Sequence, residues 1–373
     1  MLRIGVVGVG VWGCHSLEQT FAATGRARVV AVTTDDRWGE HHFRDDPVAC
    51  GRDYAARLGA EFVPEWHQLV SRRDVDVISA MVCPRRKSEV IIAALEAGKH
   101  VITDKPLALT SPEADEIVWA KTASLGRGFM LAGYQNRPLV RQLIEAIQNG
   151  RLGAVRSLSI RLCFMGGVFP GFVPTPRWRS EVPSGELTTI GSHALITLMR
   201  LHPVPVVSVC ALTANRFYEE YRAVGAEDWA EMNLSFADGA VASALVARLP
   251  YRVPGEDILL EVTGTDGYAA LDSQGLTIWP TGQTTPPPGD GDPLRETFLA
   301  VADAFEQDTL PPVTFEDGWR LQAVLDAALA SAAAGEAVRV PWPEPPPLRH
   351  GTKDMPGALL AGDTATVDSR QMT

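Results

Sequence analysis

The stretch that most restricts the fold is the opening LRIGVVGVGVWG, residues 2–13. An apolar run of strand character, residues 2–7, leads directly into Gly8, Gly10 and Gly13 in a GxGxxG spacing. In such a loop the first glycine permits a tight turn and the second lets the backbone approach a pyrophosphate; the third lets the following helix pack on the strand. The helix N-terminus then offers free N–H groups and a partial positive charge to the anion. This context predicts a βαβ unit with a dinucleotide held at Gly8, Gly10, Val11, Trp12 and Gly13.

The pattern downstream agrees. Strand-like runs recur at 27–32, 75–82, 99–104 and 127–134, with helical patterns at 12–23, 47–58, 88–97 and 112–124. Strand alternating with helix predicts a parallel sheet with right-handed crossovers. The runs show little polar alternation, as expected of strands covered on both faces. After about Gly150 the pattern changes to longer, alternating strands at 154–164, 228–236 and 240–248, the last two joined by a tight ADG turn. A second hairpin is expected over 258–272 around GTDG, then helices over 293–307 and 316–334. The expected fold is therefore α/β followed by α+β. A doubly wound parallel sheet of Rossmann type fills 1–134, and a substrate-binding and oligomerisation domain with an open, mostly antiparallel sheet fills 135–342. An extended Pro-rich tail is expected over 343–373.

A chain of 373 residues is too long for one ordinary core, in keeping with two domains. The net charge of -11 repels phosphates and argues against nucleic acid as a partner. No apolar run of 18 residues exists to span a membrane, and the glycine-broken opening does not read as a signal peptide. The five cysteines are scattered, without a CxxC or Cys/His cluster, and are read as reduced thiols of a cytoplasmic protein with no metal site. His41 and His42 are adjacent, point apart, and read as a surface pair.

Two further stretches carry chemistry. AVTTDDR places Thr34 where a carboxylate usually meets the NAD ribose, with Asp35 next and Arg37 beyond. A hydroxyl with a guanidinium suits a 2′-phosphate and Asp35 opposes it; the balance favours NADP(H) over NAD. GKHVITDKPLALT places Asp104 and Lys105 at the carboxyl end of a strand, where ligands of open α/β sheets lie.

With GVVGVGVWG, EAGKHVITDKPLA, GYQNR (133–137), GSH (191–193) and LEVTGTDGYAALD in this order, the chain resembles the Gfo/Idh/MocA oxidoreductases over about residues 2–341. That family includes glucose–fructose oxidoreductase and inositol dehydrogenases. The resemblance implies a pyridine nucleotide in the interdomain cleft and a sheet used for homodimer or homotetramer contacts. It implies that Lys105 contacts cofactor and substrate oxygen, and that His193 serves as acid/base. Cys83, Pro84 and Lys87, in CPRRK, stand where the family has a Thr-Pro followed by a histidine; cofactor contact is expected there beside a lip made basic by Arg85, Arg86 and Lys87. Asp104 replaces a glutamate. Thr189 stands where the family often has an aspartate four residues before the histidine.

Residues i and i+4 share a helix face, so Thr189 and His193 are expected to face the cleft together. Threonine brings no charge, which leaves His193 less basic than an aspartate would. Tyr134 is an alternative proton donor or an aromatic packed beside the cofactor. In the loop 164–180, Trp178 is placed to stack on a sugar-like face, and Arg177 and Arg179 to hold an anionic group. Asp228 and Trp229 read as structural. The leading expectation is hydride transfer between nicotinamide and a C–OH/C=O centre of a sugar, a cyclitol or a sugar-like natural-product intermediate. In it Lys105 polarises the oxygen and His193 exchanges its proton. The alternatives are a reductase of a non-sugar ketone or imine, and a nucleotide-binding regulator or scaffold without turnover.

Overall fold

The computed structural model describes residues 1–9, 20–34, 47–82, 84–165, 185–251, 258–286 and 293–344. The first part holds β1 (Leu2–Val7), β2 (Ala27–Thr33), α1 (Pro47–Leu58), β3 (Glu61–Phe62), α2 (Trp66–Val70), β4 (Val77–Ala80), α3 (Pro84–Glu96), β5 (His100–Asp104), α4 (Ser111–Ala123), β6 (Gly128–Leu131) and α5 (Pro138–Gln148). There follow β7 (Val155–Met165), α6 (Glu186–Thr189), α7 (Gly191–Leu201), β8 (Val206–Ala214), α8 (Glu219–Ala223), β9 (Trp229–Phe236), β10 (Val241–Leu249), β11 (Leu259–Gly264), β12 (Tyr268–Asp272), β13 (Gly275–Trp279) and β14 (Gln283–Thr285). The last elements are α9 (Pro293–Glu306), α10 (Phe315–Ala334) and β15 (Val338–Arg339).

The first six strands form one parallel sheet in the order β3-β2-β1-β4-β5-β6. Its central strands are covered on both faces: all of Val77–Ala80 is buried. That explains why these strands read as unbroken apolar runs. The remaining nine form a second sheet, β14-β13-β12-β11-β7-β10-β9-β8-β15, antiparallel except for the β7–β10 pair. On β9, Ala230, Met232, Leu234 and Phe236 are buried while Glu231 and Asn233 are exposed, the alternation of a sheet with one covered face.

Two expectations are corrected. The helix expected over 88–97 begins at Pro84, because proline is well placed in a helix's first turn, where its missing N–H is no loss. The strand expected over 127–134 ends at Leu131, because Gly133 takes φ +76° and turns the chain toward α5. The late helices join the two sheets: α9 packs on the first, and α10 lies between α4, through Ser111–Asp326 and Trp319–Asp115, and β8 of the second sheet, where Ala211 N donates to Ser331 Oγ at 2.9 Å. Phe298 stacks on Phe21 at 4.9 Å and Phe305 on His100 at 4.5 Å. Residues 313 and 314 bond along the edge of β6, Met130 N donating to Val313 O at 3.1 Å. The N-terminus of α10 is secured by a capping box between Thr314 and Asp317. The helix expected over 12–23 lies for the most part outside the described residues, as do Gly10, Val11, Trp12, Gly13, Asp35, Arg37, Cys83, Trp178 and Arg179.

Candidate active site

The parallel sheet changes winding direction at β1, whose neighbours β2 and β4 lie on opposite sides. The carboxyl edge of such a sheet opens a crevice there. Gly8 follows β1 directly, with φ +88° and its N–H donated to Thr33 O at 2.9 Å. A Cβ at this position would sit 2.8 Å from Val82 Cγ1 and 3.1 Å from Met81 O. Only glycine permits this close passage, which is the close turn a dinucleotide phosphate site requires after the first strand. Thr34, at the end of β2, is buried at 1 % exposure, and its methyl faces Gly51 of α1. Pro84 opens α3 on the same edge of the sheet.

Asp104 and Lys105 end β5 on that edge, two strands from β1. Lys105 is half-buried, and its Nζ donates to the backbone carbonyl of Thr189 at 2.5 Å. That carbonyl is available because the helix is jointed at Ile190. His193 N donates to Ile190 O at 2.9 Å, three residues back rather than four. Position 189 therefore meets Lys105 through its main chain, whichever side chain it carries. Burial lowers the Lys105 pKa from 10.5 to about 8; Asp104 and Glu186 oppose the shift, and Arg248 and Lys87 add to it.

His193 sits one turn beyond Thr189, at the start of α7. Its Nδ1 accepts the Gly133 N–H at 2.9 Å. Thr197 Oγ1 donates to His193 O at 2.7 Å and accepts from Tyr134 N at 3.0 Å, tying α7 to the turn after β6. The Tyr134 ring meets His193 edge-on at 5.9 Å and carries the Arg137 guanidinium over its face at 4.1 Å. Burial first, then the cations Lys105 and Arg137, hold the His193 pKa well below its usual value.

Lys87 requires a correction. Its side chain is 1 % exposed and faces inward, not outward as a basic lip. Its ammonium donates to Asp104 Oδ1 at 2.7 Å, Asp104 O at 2.9 Å and Pro106 O at 2.9 Å. Every donor is engaged, so this group braces Lys105 from behind instead of meeting a nucleotide. The cause is its place in the first turn of α3, facing the end of β5. Sequence reading also passed over Glu186. This carboxylate is fully buried, accepts from Tyr221 Oη, and receives Arg248 Nε on Oε1 at 2.8 Å and Nη2 on Oε2 at 3.2 Å. An acid as the single charge in the stretch GELTTI before GSH is the available signal. Asp228 is structural: its carboxylate accepts the backbone N–H groups of Arg216, Phe217 and Tyr218 at 2.7–2.8 Å.

Residues 2–129 match the model of an oxidoreductase family with an NAD-binding Rossmann fold, and residues 140–270 match the GFO/IDH/MocA C-terminal domain. The chain belongs to the GFO/IDH/MocA oxidoreductase family. It is 30% identical over 308 residues to 1,5-anhydro-D-fructose reductase of Ensifer adhaerens, covering 78% of this chain and 87% of that protein. It is 29% identical over 199 residues to dTDP-3,4-didehydro-2,6-dideoxy-alpha-D-glucose 3-reductase of Saccharopolyspora spinosa, covering 52% of this chain and only 53% of that one. Its fold matches levoglucosan dehydrogenase in complex with NADH at TM-score 0.76 and 22% identity, over 91% of this chain and 99% of that one. Within this GFO/IDH/MocA fold, Lys87 and Asp104, for which the resemblance led to the expectation of a histidine and a glutamate, pair with each other.

Proposed function

We propose that this protein transfers hydride between a nicotinamide dinucleotide and a C–OH/C=O centre of a sugar or sugar-like substrate. The observation that carries the reading is convergence. Lys105 from the nucleotide-binding sheet and His193 from α7 meet at the sheet's carboxyl edge, tied through Thr189 O and Gly133 N. The bound nicotinamide supplies the hydride acceptor or donor. The chain supplies two groups at the reacting oxygen, one to hold it and one to exchange its proton. The names of the relatives, a reductase of an anhydro-ketosugar and one of a nucleotide-linked ketosugar, support the substrate class. Gly8, Gly10, Val11, Trp12 and Gly13 would hold the pyrophosphate. Trp178 and Arg179 are assigned to the substrate side with Thr189.

NAD(H) is the coarser assignment. A preference for NADP(H) rests on Arg37, since the Thr34 side chain is buried. The reading extends to a cytoplasmic homo-oligomer formed through the outer face of the nine-stranded sheet. There Ser208, Ser235, Val241, Ser157 and Thr263 stand in register across five strands. Sedimentation gives the mass of the assembly directly.

The test is a fluorescence titration with NADH and NADPH, followed by a panel of cyclitols, anhydrosugars and ketosugars read at the nicotinamide absorbance. Lys105→Ala should lower turnover by about 10²–10⁴-fold and keep most of the dinucleotide affinity. A fully active variant refutes the site.

A further inference from the structure

We propose that His193 works as a neutral hydrogen-bond donor through Nε2, and that Lys105 exchanges the proton of the reacting oxygen. This rests on the oxidoreductase reading above and reverses the roles expected from the family resemblance.

The argument begins at the Gly133 amide. A backbone N–H can only donate, so the ring nitrogen facing it at 2.9 Å must present a lone pair. That nitrogen is Nδ1. A neutral imidazole has one proton, which is thereby placed on Nε2. A ring in this state has no lone pair at Nε2 with which to take a proton from a substrate hydroxyl. An imidazolium would set two N–H groups against each other and lose the bond. The amide cannot easily turn away. Gly133 is held at φ +76°, and the next residue's N–H is engaged by Thr197 Oγ1.

The surrounding charges act in the same direction. Among the described residues, Lys105, at the end of β5, and Arg137, at the N-cap of α5, are the charges that act on His193, and both are cations. Tyr134 contributes a ring edge. Glu186 acts on Lys105 and is itself held by Arg248 and Tyr221. Position 189, where a carboxylate would favour imidazolium, is threonine.

Lys105 has the properties His193 lacks. Its Nζ gives one N–H to Thr189 O, which orients the amine without taking its lone pair. Burial and the cations Arg248 and Lys87 favour the neutral form, against Asp104 and Glu186. In the oxidative direction the carbinol C–H leaves as hydride to C4 of the oxidised nicotinamide. The hydroxyl proton passes to Nζ, giving an ammonium, and the C–O bond becomes C=O. The Nε2–H of His193 stays on the ring and holds the oxygen throughout. Reduction is the same sequence reversed.

The decisive experiment is 15N NMR of His-labelled protein, with His193→Gln used to identify its signal among the eight histidines. With NADH bound or absent, His193 should show the neutral Nε2–H pattern from pH 6 to pH 9. An imidazolium in that range, or an Nδ1–H, overturns the proposal. Kinetics give a second arm. His193→Ala should lose about 10²–10³-fold in kcat, as for a missing oxyanion donor. His193→Gln, which keeps an N–H donor, should recover to within about tenfold of wild type. Lys105→Ala should lose about 10²–10⁴-fold and regain activity with added ethylamine. A Gln variant as impaired as the Ala variant, or a failure of amine rescue, refutes the division of roles. If no substrate turns over, the oxidoreductase reading fails, while the spectrum still decides the tautomer.

Discussion

Replacing Lys87 by Met removes one ammonium and three hydrogen bonds from the back of the site. Methionine has nearly the same length and an apolar tip, so the repacking cost itself is under about 1.5 kcal/mol. The larger cost falls on the acceptors left behind. Asp104 O and Pro106 O lose a donor bonded at 2.9 Å. A buried acceptor without a partner costs about 1–3 kcal/mol. The Asp104 carboxylate is 36% exposed, so water can replace its lost partner, and the ion pair adds no more than about 1 kcal/mol. Folding of the variant no longer desolvates an ammonium, which trims the total, and about 2–4 kcal/mol is expected. Urea unfolding at pH 7, read by circular dichroism and tryptophan fluorescence, measures it. A double-mutant cycle with Asp104→Asn should give a coupling of about 0.5–3 kcal/mol. Because Lys87 bonds to the carbonyls on either side of Lys105, kcat should fall with little change in dinucleotide affinity. A loss below about 1 kcal/mol, or strict additivity in the cycle, would refute the bracing role.

Three other changes report on the site. Gly133→Ala must hold φ +76° and bring a Cβ within 2.0 Å of Gln135 Oε1. It should cost about 1–3 kcal/mol in urea unfolding and weaken the His193 bond; an unchanged midpoint would show that the turn relaxes freely. Thr189→Asp adds a carboxylate beside Lys105 and His193, which favours both cations, so the ionisation seen in the pH–rate profile should move up by about 1 unit or more; an unmoved profile contradicts a tuning role for this position. Lys105→Met tests the lowered lysine pKa through stability. Between about 8 and 10.5 the unfolded wild type binds more protons than the folded one, so wild-type stability rises with pH through that window. The variant should be more stable than wild type at pH 7 and lack that rise; parallel pH curves for the two proteins would contradict it.

Legibility in the sequence followed the source of each signal. The helices at 47–58, 111–123 and 315–334 are written in local periodicity and caps, and were readable to within a residue. Strand β8 was not read: a register shift between Val206 and Ser208 breaks its period of two. The strands β13 and β14 were missed as well. They are short, and β14, Gln283–Thr285, is polar and lies at the sheet's end.

The candidate site divides in the same way. Gly8, Lys105 and His193 were legible because each occupies a fixed place in a local motif: after a strand, at a strand's end, at a helix start. Sequence alone marked these residues as candidates for the crevice. What those residues do to one another was decided only by tertiary structure. Lys87 turned from a surface cation into an internal brace because α3 places it against the end of β5. The missing acid at Thr189 drew notice to a side chain, while the contact with Lys105 runs through the carbonyl freed at the Ile190 joint. The tautomer of His193 is set by the amide of Gly133, which lies 60 residues away in the chain. Local patterns record propensity and burial. Protonation depends on the donors, charges and desolvation that distant segments bring to one point, and no window of sequence contains them.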